Sequence, residues 1–367
     1  MNEFLEVKNI AREALVRLIE NLVFPNLIHK DFSETFVKGL GASIQVRKPV
    51  ILKAKDFDES KGTEVQDVKE ESVEVKLDKL ATVDVDFSAI QSATNVDDLN
   101  RLFLEPAAVA LAEKINADGL ELYKDIPYIV GTAGTTPSTL DDLAAVRKGL
   151  NVNKVPVVGR KAVWDPEADA KFTTIPAIVN AEKSGTTTAL REGSIGRVMG
   201  LDNYMSQAVK KHVKGTLSAA AKPSAVTKAG VTSLTLKADT LTGTLVKGDV
   251  LTILGDNYVV TKDATADSNT ITVEISPALK KDVNTATVVT VAESHTANLA
   301  FNPSAFAFVT RPLVAPAGVE SYVVSYNGIS MRVVRGYDMK TKKEMLSMDV
   351  LYGYKTMYPE LAVRVLG

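Results

Sequence analysis

The sequence predicts an α+β fold that is interrupted by a small inserted all-β domain. Two stretches have helical periodicity, one near the N-terminus and one from Asn95 to Tyr123, and strand patterns occur between and after them. These elements alternate without the regular βαβ rhythm of a parallel sheet. From Gly215 to His295 the composition changes, with fifteen threonines and Tyr258 as the only aromatic residue. A mixed fold with a β-rich insertion accounts for all three observations.

Composition excludes several classes of protein. A length of 367 residues allows two or three compact units, and 45% hydrophobic with 24% charged residues is typical of a folded chain. The formal net charge of −2 gives no overall attraction to nucleic acid or to an anionic membrane. Because cysteine is absent, disulfides and thiolate chemistry are excluded. No apolar run approaches the ~20 residues that span a bilayer and no basic leader is present, so we expect a soluble chain made in the cytoplasm.

The first predicted element is an amphipathic helix that Pro25 limits. Its apolar residues recur at three- and four-residue steps, namely Val7, Ala11, Ala14, Leu15, Leu18, Ile19 and Leu22. This stripe has to be covered by its own chain or by a neighbouring one. We therefore take as candidates for contact between subunits Leu15, Leu18 and Leu22.

A long hairpin from Ile44 to Leu80 is predicted next. Strand patterns at its two ends, IQVRKPVILKA and SVEVKLDKL, flank the loop from Lys55 to Ser72, in which ten of eighteen residues are charged. Loops longer than about 12–15 residues are uncommon in compact domains unless they are functional. We expect this loop to lie on another molecule, with contact candidates Lys55, Asp56, Asp58, Glu59 and Lys61. A calcium loop is disfavoured because Lys61 stands where that motif requires glycine.

The remaining mixed region begins with one long helix between Asn95 and Tyr123, with Pro106 in its interior. A second helix is predicted over STLDDLAAVRKGL. In RKAVWDPEADAKF, a strand ends in a turn at Asp165 and Pro166, and a short helix follows.

The segment from 215 to 295 reads as a sandwich or barrel of short strands separated by Gly, Asp, Asn and Pro. After it, the run NLAFNPSAFAFVTRPL has apolar residues on both faces. Phe306 and Phe308 point to one side, and Ala305, Ala307 and Val309 point to the other. Such a strand is expected to be covered on both faces. The C-terminal sequence then predicts further strands around a lysine-rich turn.

Groups that could perform chemistry are few. The three histidines, His29, His212 and His295, are far apart and lack the spacing of metal ligands, so we interpret them as solvated or core residues. The glycine-rich segments at Gly39 and Gly131 lack the full phosphate-binding patterns. We therefore predict no catalytic, cofactor-binding or metal-binding residues, and a protein that is not an enzyme.

Six segments together resemble the major capsid proteins of tailed bacteriophages, which have the Hong Kong 97 coat fold. They are GASIQVRKPV, LEPAAVALAEKINADGLELY, VPVVGRKAVWDPEADAKF, LREGSIGRVMGLDNYMSQAV, NLAFNPSAFAFVTRPL and MDVLYGYKTMYPELAVRVL. They occur in the family's order and span nearly the whole chain. The likeness is to the subgroup of coat proteins with an inserted β domain.

The resemblance implies a domain map. Residues 1–43 look like the N-terminal arm and residues 44–80 like the extended loop that reaches an adjacent subunit. Residues 81–214 look like the first part of the peripheral and axial domains, with the long helix as the spine helix. Residues 215–295 are the inserted all-β domain, and residues 296–367 return to the axial and peripheral domains. NLAFNPSAFAFVTRPL then resumes the sheet that GRVMGLDNYMSQAV had left.

The resemblance also implies a function. The chain would self-assemble as hexamers and pentamers into the icosahedral head of a tailed phage. It would enclose double-stranded DNA without sequence-specific binding, without a cofactor and without a membrane. Scaffolding and portal proteins would be partners, with assembly in the host bacterial cytoplasm and the virion as final location. Two alternatives remain open from the sequence, an encapsulin-like nanocompartment shell and a multidomain surface or adhesin-type binding protein.

Overall fold

The computed structural model of the protein describes residues 7–30, 43–47, 72–88, 96–180, 188–218, 220–340 and 343–367. The helices of these ranges are α1 (Val7–Asn21), α2 (Phe24–Leu27), α3 (Val96–Leu120), α4 (Leu140–Val152), α5 (Pro166–Thr173), α6 (Pro176–Val179) and α7 (Thr188–Glu192). Shorter 3₁₀ turns occupy Glu121–Asp125, Pro303–Ala305 and Pro359–Leu361. None of the helices described is both long enough and apolar enough to cross a bilayer.

The strands up to the threonine-rich segment are β1 (Ser43–Arg47), β2 (Ser72–Lys76), β3 (Lys79–Ser88), β4 (Ile129–Gly131), β5 (Lys161–Trp164), β6 (Arg197–Val198), β7 (Leu201–Met205) and β8 (Lys211–His212). Those of the threonine-rich segment are β9 (Lys222–Pro223), β10 (Ser233–Lys237), β11 (Thr244–Leu245), β12 (Val250–Ile253), β13 (Asp256–Val260), β14 (Ala264–Thr265), β15 (Thr270–Ser276) and β16 (Val289–Val291). The C-terminal strands are β17 (His295–Phe301), β18 (Phe306–Thr310), β19 (Glu320–Tyr326), β20 (Ile329–Asp338), β21 (Lys343–Thr356) and β22 (Ala362–Leu366).

The chain forms two compact units. The first comprises Met1–Leu15, Lys30–Phe103 and Ala307–Met357, and the second comprises Val16–His29, Leu104–Phe306 and Tyr358–Gly367. Helices α1 and α3 each contribute residues to both units.

The first unit contains a five-stranded sheet in the order β18–β21–β20–β19, with β3 paired to β21. Strands β20 and β21 form the hairpin predicted around the lysine-rich turn, with Asp338 opposite Lys343. Strands β1 and β2 pair antiparallel, as the predicted hairpin requires, with Ile44 opposite Val75. The strand predicted from Ser72 to Leu80 is interrupted at Leu77 and Asp78, after which β3 pairs with β21.

The second unit is built on a seven-stranded sheet in the order β4–β22–β17–β5–β7–β6, with β8 paired to β17. Helix α4 and helix α5 pack on one face, where Trp164 contacts Phe172 with a ring-centroid distance of 4.9 Å. On another buried surface, Phe24 of α2 contacts Phe301 and Phe306 at ring-centroid distances of 5.5 and 5.6 Å. Strands of this sheet come from both sides of the threonine-rich segment, so that segment interrupts the sheet in sequence.

The run NLAFNPSAFAFVTRPL forms two strands, where the sequence predicted one. Strand β17 lies in the seven-stranded sheet and β18 in the five-stranded sheet. Between them, Pro303 begins a 3₁₀ turn in which the Asn302 side chain accepts a hydrogen bond from the Ser304 N–H. The predicted burial of both faces is confirmed, because every residue from Ala305 to Val309 has an exposed fraction of 0%.

The threonine-rich segment has its own sheet of six strands, in the order β16–β12–β13–β15–β10–β9. Strand β15 alternates, with Ile271, Val273 and Ile275 buried and the residues between them exposed. The buried side chains pack in a cluster with Leu236 and Tyr258. The period of two thus produces one apolar and one polar face.

The predicted helices have identifiable boundaries. Helix α3 continues through Pro106 to Leu120. Helix α4 begins with a capping box in which the Thr139 hydroxyl accepts from the Asp142 N–H and the Asp142 carboxylate accepts from the Thr139 N–H. Asp165 caps α5 ahead of Pro166, at the place where the sequence predicted a turn followed by a short helix.

Candidate functional site

The leucines predicted to contact a neighbouring subunit are covered by their own chain. Leu15, Leu18 and Leu22 have exposed fractions of 1%, 0% and 3%. The apolar stripe of α1 is therefore satisfied within the chain, which was one of the two outcomes that the sequence left open. These three side chains offer no uncovered surface to a second copy.

The end of α1 is fixed by one side chain of α3. The Asn116 Oδ1 accepts hydrogen bonds from the Val23 N–H at 3.0 Å and the Phe24 N–H at 3.1 Å. Its Nδ2 donates to the Asn21 carbonyl at 3.1 Å. These contacts satisfy backbone groups that a helix end otherwise leaves without partners. These contacts have no local signal in the sequence, because about ninety residues separate Asn116 from its partners.

The charged candidates Lys55, Asp56, Asp58, Glu59 and Lys61 lie outside the described residues. The paired strands β1 and β2 stand on either side of this segment. Its role as a contact loop remains a prediction.

Two of the three histidines meet where the chain leaves the seven-stranded sheet for the threonine-rich segment and returns from it. His212 ends β8 and His295 begins β17, and the two residues are opposite each other in an antiparallel pair. Their rings lie 5.4 Å apart between centroids, and both side chains are buried. We call the buried polar residues around them, Tyr123, His212, Asp249, His295 and Arg364, the junction cluster.

Asp249, the residue before β12, connects the threonine-rich segment to His212. Its Oδ1 lies 2.9 Å from His212 Nε2. Its Oδ2 accepts from the Val246 N–H at 2.8 Å and the Gly215 N–H at 3.1 Å. Because the carboxylate takes the Nε2–H, the Nδ1 of a neutral His212 is free to accept from the Tyr123 hydroxyl, 3.1 Å away.

Arg364 of β22 ties the other histidine to the same segment. Its Nη2 donates to His295 Nε2 at 2.6 Å, and its Nη1 donates to the Gly248 carbonyl at 2.7 Å. The guanidinium carbon lies 4.5 Å from the centre of the Tyr123 ring, a cation–π contact. His295 Nδ1 donates to the Glu293 carbonyl at 2.6 Å, which leaves Nε2 as the acceptor that Arg364 needs.

The surroundings shift the ionisation of this cluster. Burial lowers the pKa of His295 to about 4; the charge of Arg364 adds to this effect, and the hydrogen bond to the Glu293 carbonyl opposes it. Burial also lowers the pKa of Arg364 to about 10, against the attraction of Tyr123 and Asp249. His295 is therefore neutral and Arg364 charged at neutral pH.

The arrangement is suited to holding structure. Every member of the junction cluster is at most 3% exposed, so a solute has no direct approach to these groups. The buried carboxylate of Asp249 is tolerated because it accepts three hydrogen bonds. The buried guanidinium of Arg364 has two hydrogen bonds and the cation–π contact, while its Nε has no hydrogen-bond partner. Within the described ranges, no three His, Asp or Glu side chains come close enough together to hold a metal ion.

His212 and His295 were expected from the sequence to be solvated or core residues, and the structure places both in the core. Their partners Asp249, Arg364 and Tyr123 were not predicted. One feature of the sequence could have indicated that the two histidines lie close together, because they stand at the two ends of the segment in which the composition changes. Residues at the two ends of an insertion have to come close together if the insertion joins one edge of a sheet.

Comparison with known proteins identifies the fold. No protein-family model matches this sequence, and no curated protein matches it. Among solved structures, a chain of Mycobacterium phage Che8 is similar with a TM-score of 0.55 and 16% identity, covering 94% of this chain and 90% of that one. A chain of the capsid structure of the cyanophage P-SCSP1u is similar with a TM-score of 0.52 and 13% identity, covering 94% and 88%. At such identities the similarity shows the fold, which is that of phage capsid subunits.

Proposed function

We propose that this chain is the major capsid protein of a tailed double-stranded DNA bacteriophage, and that many copies form the icosahedral shell of its head. The observation that carries the proposal is the fold shared with the cyanophage capsid chain over 94% of this protein. The six sequence segments that resemble Hong Kong 97 coat proteins support it independently of that comparison.

The domain map follows the resemblance. Residues 1–43 are the arm, 44–80 the extended loop, 81–214 and 296–367 the peripheral and axial domains, and 215–295 the insertion. The interruption of the seven-stranded sheet by the threonine-rich segment supports this map, since β5 and β7 precede that segment and β17 and β22 follow it. The junction cluster gives the insertion a role in stabilising the subunit.

The partners are inferred from the same function. Copies of this chain would form hexamers and pentamers, with scaffolding and portal proteins assisting assembly in the host cytoplasm. The net charge of −2 suits a wall that encloses DNA without binding it tightly. The charged loop with Lys55, Asp56, Asp58, Glu59 and Lys61 is the part we expect to contact an adjacent subunit. The protein acts by assembly, and we assign it no enzymatic step.

Assembly of the purified full-length chain tests this function. Sedimentation over a range of protein concentrations, with and without a crowding agent, gives the size distribution, and negative-stain microscopy gives the shape of the products. We expect closed, uniform shells or the capsomers that build them. A folded chain that stays monomeric at every concentration and crowding level would overturn the proposal.

A further inference from the structure

The five-stranded sheet of the first unit has a long outer strand. Strand β19 pairs with β20 over its whole length, from Glu320 opposite Arg335 to Tyr326 opposite Ile329. Among the described strands, none pairs with its other side. Its seven residues contain no proline and no lysine, and its one charged residue is at its start. Such a strand presents unpaired backbone groups as a template for another strand.

The other long edge of this sheet is different. Strand β3 carries the exposed carboxylates of Asp84 and Asp86, and charge on an edge opposes pairing. In the seven-stranded sheet of the second unit, the outer strands β4 and β6 have only three and two residues. Strand β18, at the other end of the strand order, has no charge but has only five residues, all of them buried. Among the outer strands described in these two sheets, β19 is therefore the longest one without charge along its centre.

The turn determines which backbone groups of β19 point outward. Asn327 and Gly328, with φ of 52° and 72°, form the two-residue turn between β19 and β20. In such a hairpin the flanking residues, Tyr326 and Ile329, exchange hydrogen bonds, and the exchange repeats at every second residue. The N–H and C=O groups that face away from β20 therefore belong to Ser321, Val323 and Ser325.

We propose that β19 pairs antiparallel with β19 of a second copy, about a twofold axis that passes beside Val323. The outward groups are symmetric about this residue, so Val323 faces Val323 of the second copy and Ser321 faces Ser325. Ser321, Val323 and Ser325 of each copy then all exchange backbone hydrogen bonds with the other copy. If the axis passed beside Tyr322 or Val324 instead, the two strands would overlap over fewer residues and fewer of these bonds would form. An isologous contact of this kind is self-complementary by construction.

Side chains and charge agree with this register. Tyr322 and Val324 lie opposite Val333 and Met331 of β20, which are buried, yet they are themselves only half-buried. Pairing places Tyr322 beside Val324 of the second copy, so the apolar row continues across the contact, and aromatic and β-branched residues pair favourably. Glu320 is the only charged residue of the strand, and it would face Tyr326 of the second copy, a side chain that is 66% exposed. No like charges therefore oppose each other across the contact.

This proposal rests on the proposed shell function, since it describes one kind of contact between copies. The strand pairing can be refuted while shell formation is still observed. Because the chain contains no cysteine, a single introduced cysteine gives an unambiguous cross-link. Residues in a hydrogen-bonded antiparallel pair have Cα atoms about 5.5 Å apart, within the roughly 4.4–6.8 Å that a disulfide spans. Val323→Cys is therefore the probe, with Asp84→Cys on the opposite edge of the same sheet as its matched control.

The assay oxidises each variant, as assembled particles or as the free chain at high concentration, and separates the products on a non-reducing gel. We expect Val323→Cys to form a covalent dimer in at least tenfold higher yield than Asp84→Cys. A yield equal to that of the control, or no dimer from particles that microscopy shows to be intact, would refute the pairing and leave the shell function standing. If the parent chain stays monomeric under all conditions, the shell function fails, and cross-linking of the free chain still decides the pairing.

A second pair of variants separates the backbone contact from the side chain. Val323→Pro removes an outward N–H and leaves the hydrogen bonds to β20 in place, whereas Val323→Thr keeps the N–H and the β-branched shape. We expect both to fold by circular dichroism and only the proline variant to lose most dimer or particle yield. A cross-link between Val323→Cys and Val46→Cys in mixed samples would place β1 of a neighbour on this edge instead and would refute the twofold pairing.

Discussion

Acid should destabilise the subunit through His295. This side chain is 1% exposed, and its Nε2 accepts a hydrogen bond from the charged Arg364 at 2.6 Å. Protonation would place a second positive charge against the guanidinium and replace the acceptor by a donor. Burial is the larger cause of the shift and the charge of Arg364 adds to it, so the pKa of His295 in the folded protein lies at about 4 when the ordinary value is 6.5.

The sign and size of the effect follow from proton linkage. Between pH 6.5 and about 4 the unfolded chain binds a proton at His295 that the folded chain does not, so the free energy of unfolding falls as the pH falls. The contribution of His295 is fully present above pH 6.5 and is lost as the pH approaches 4. One pKa unit corresponds to about 1.4 kcal/mol, so the total loss is roughly 3 kcal/mol.

Denaturant unfolding of the dissociated full-length chain at several pH values measures this slope. Fluorescence of Trp164, the only tryptophan, reports the seven-stranded sheet, to which β17 and its His295 belong. His295→Gln keeps an acceptor for Arg364 but does not titrate, and we expect it to remove most of the slope between pH 6.5 and 4. His29→Gln serves as the matched control. If His295→Gln and the parent chain lose stability equally over this range, the assignment is wrong.

Three further predictions concern single features of the chain. Asp249→Ala should destabilise the subunit by about 3–5 kcal/mol, because it leaves three N–H donors, two of them buried, without their carboxylate; hydrogen exchange of β12 and β13 should rise with it. Asn116→Ala should cost about 2–4 kcal/mol in denaturant unfolding, because the last turn of α1 and the start of α2 lose the partners of their backbone groups. Reversing three acidic residues of the charged loop should reduce particle yield in sedimentation while circular dichroism stays unchanged, the variant being Asp56→Lys, Asp58→Lys and Glu59→Lys.

Each of these changes has a control of the same chemistry. Asp263 is exposed and accepts one hydrogen bond, from the Lys247 N–H, so Asp263→Ala should cost less than about 1 kcal/mol. The exposed Asn151→Ala should likewise have a small effect. Equal costs for target and control would contradict the two stability predictions. For the loop, the same change of charge at other exposed sites is the control, at Glu113, Glu192 and Asp239, and normal particles from the loop variant would refute its role.

Local patterns in the sequence predicted local structure well. The helix over STLDDLAAVRKGL and the short helix after Asp165 and Pro166 were both predicted from local residues, and the structure contains both. The alternation of β15 follows from a period of two. The apolar stripe of α1 predicted the helix and its buried face, but it does not indicate whether the same chain or a neighbouring chain covers that face. That is why Leu18 could be proposed as a contact between subunits although it is buried in its own chain.

The parts that the sequence did not predict depend on residues that are distant along the chain. Asp249 and Arg364 are ordinary charged residues in their own segments, and only the folded sheet brings them to the two histidines. The break between β17 and β18 was also missed, because Pro303 sits within an otherwise apolar run whose burial was predicted correctly. Periodicity in the sequence predicts which side chains are buried, but the topology of the sheet determines which strand lies beside them.

The junction cluster has a consequence for how the threonine-rich segment belongs to the subunit. Since His212 and His295 are paired, the two ends of this segment are already side by side, so its presence adds little loop-closure entropy to the seven-stranded sheet. Yet Arg364, in the last strand of that sheet, depends on the Gly248 carbonyl for one of its hydrogen bonds, and His212 depends on Asp249. Removal of the segment would leave a buried guanidinium short of an acceptor and a histidine without its carboxylate, each at the cost of an unsatisfied buried group. The segment is therefore part of the folding of the chain, and a chain without it would need a different residue at position 364.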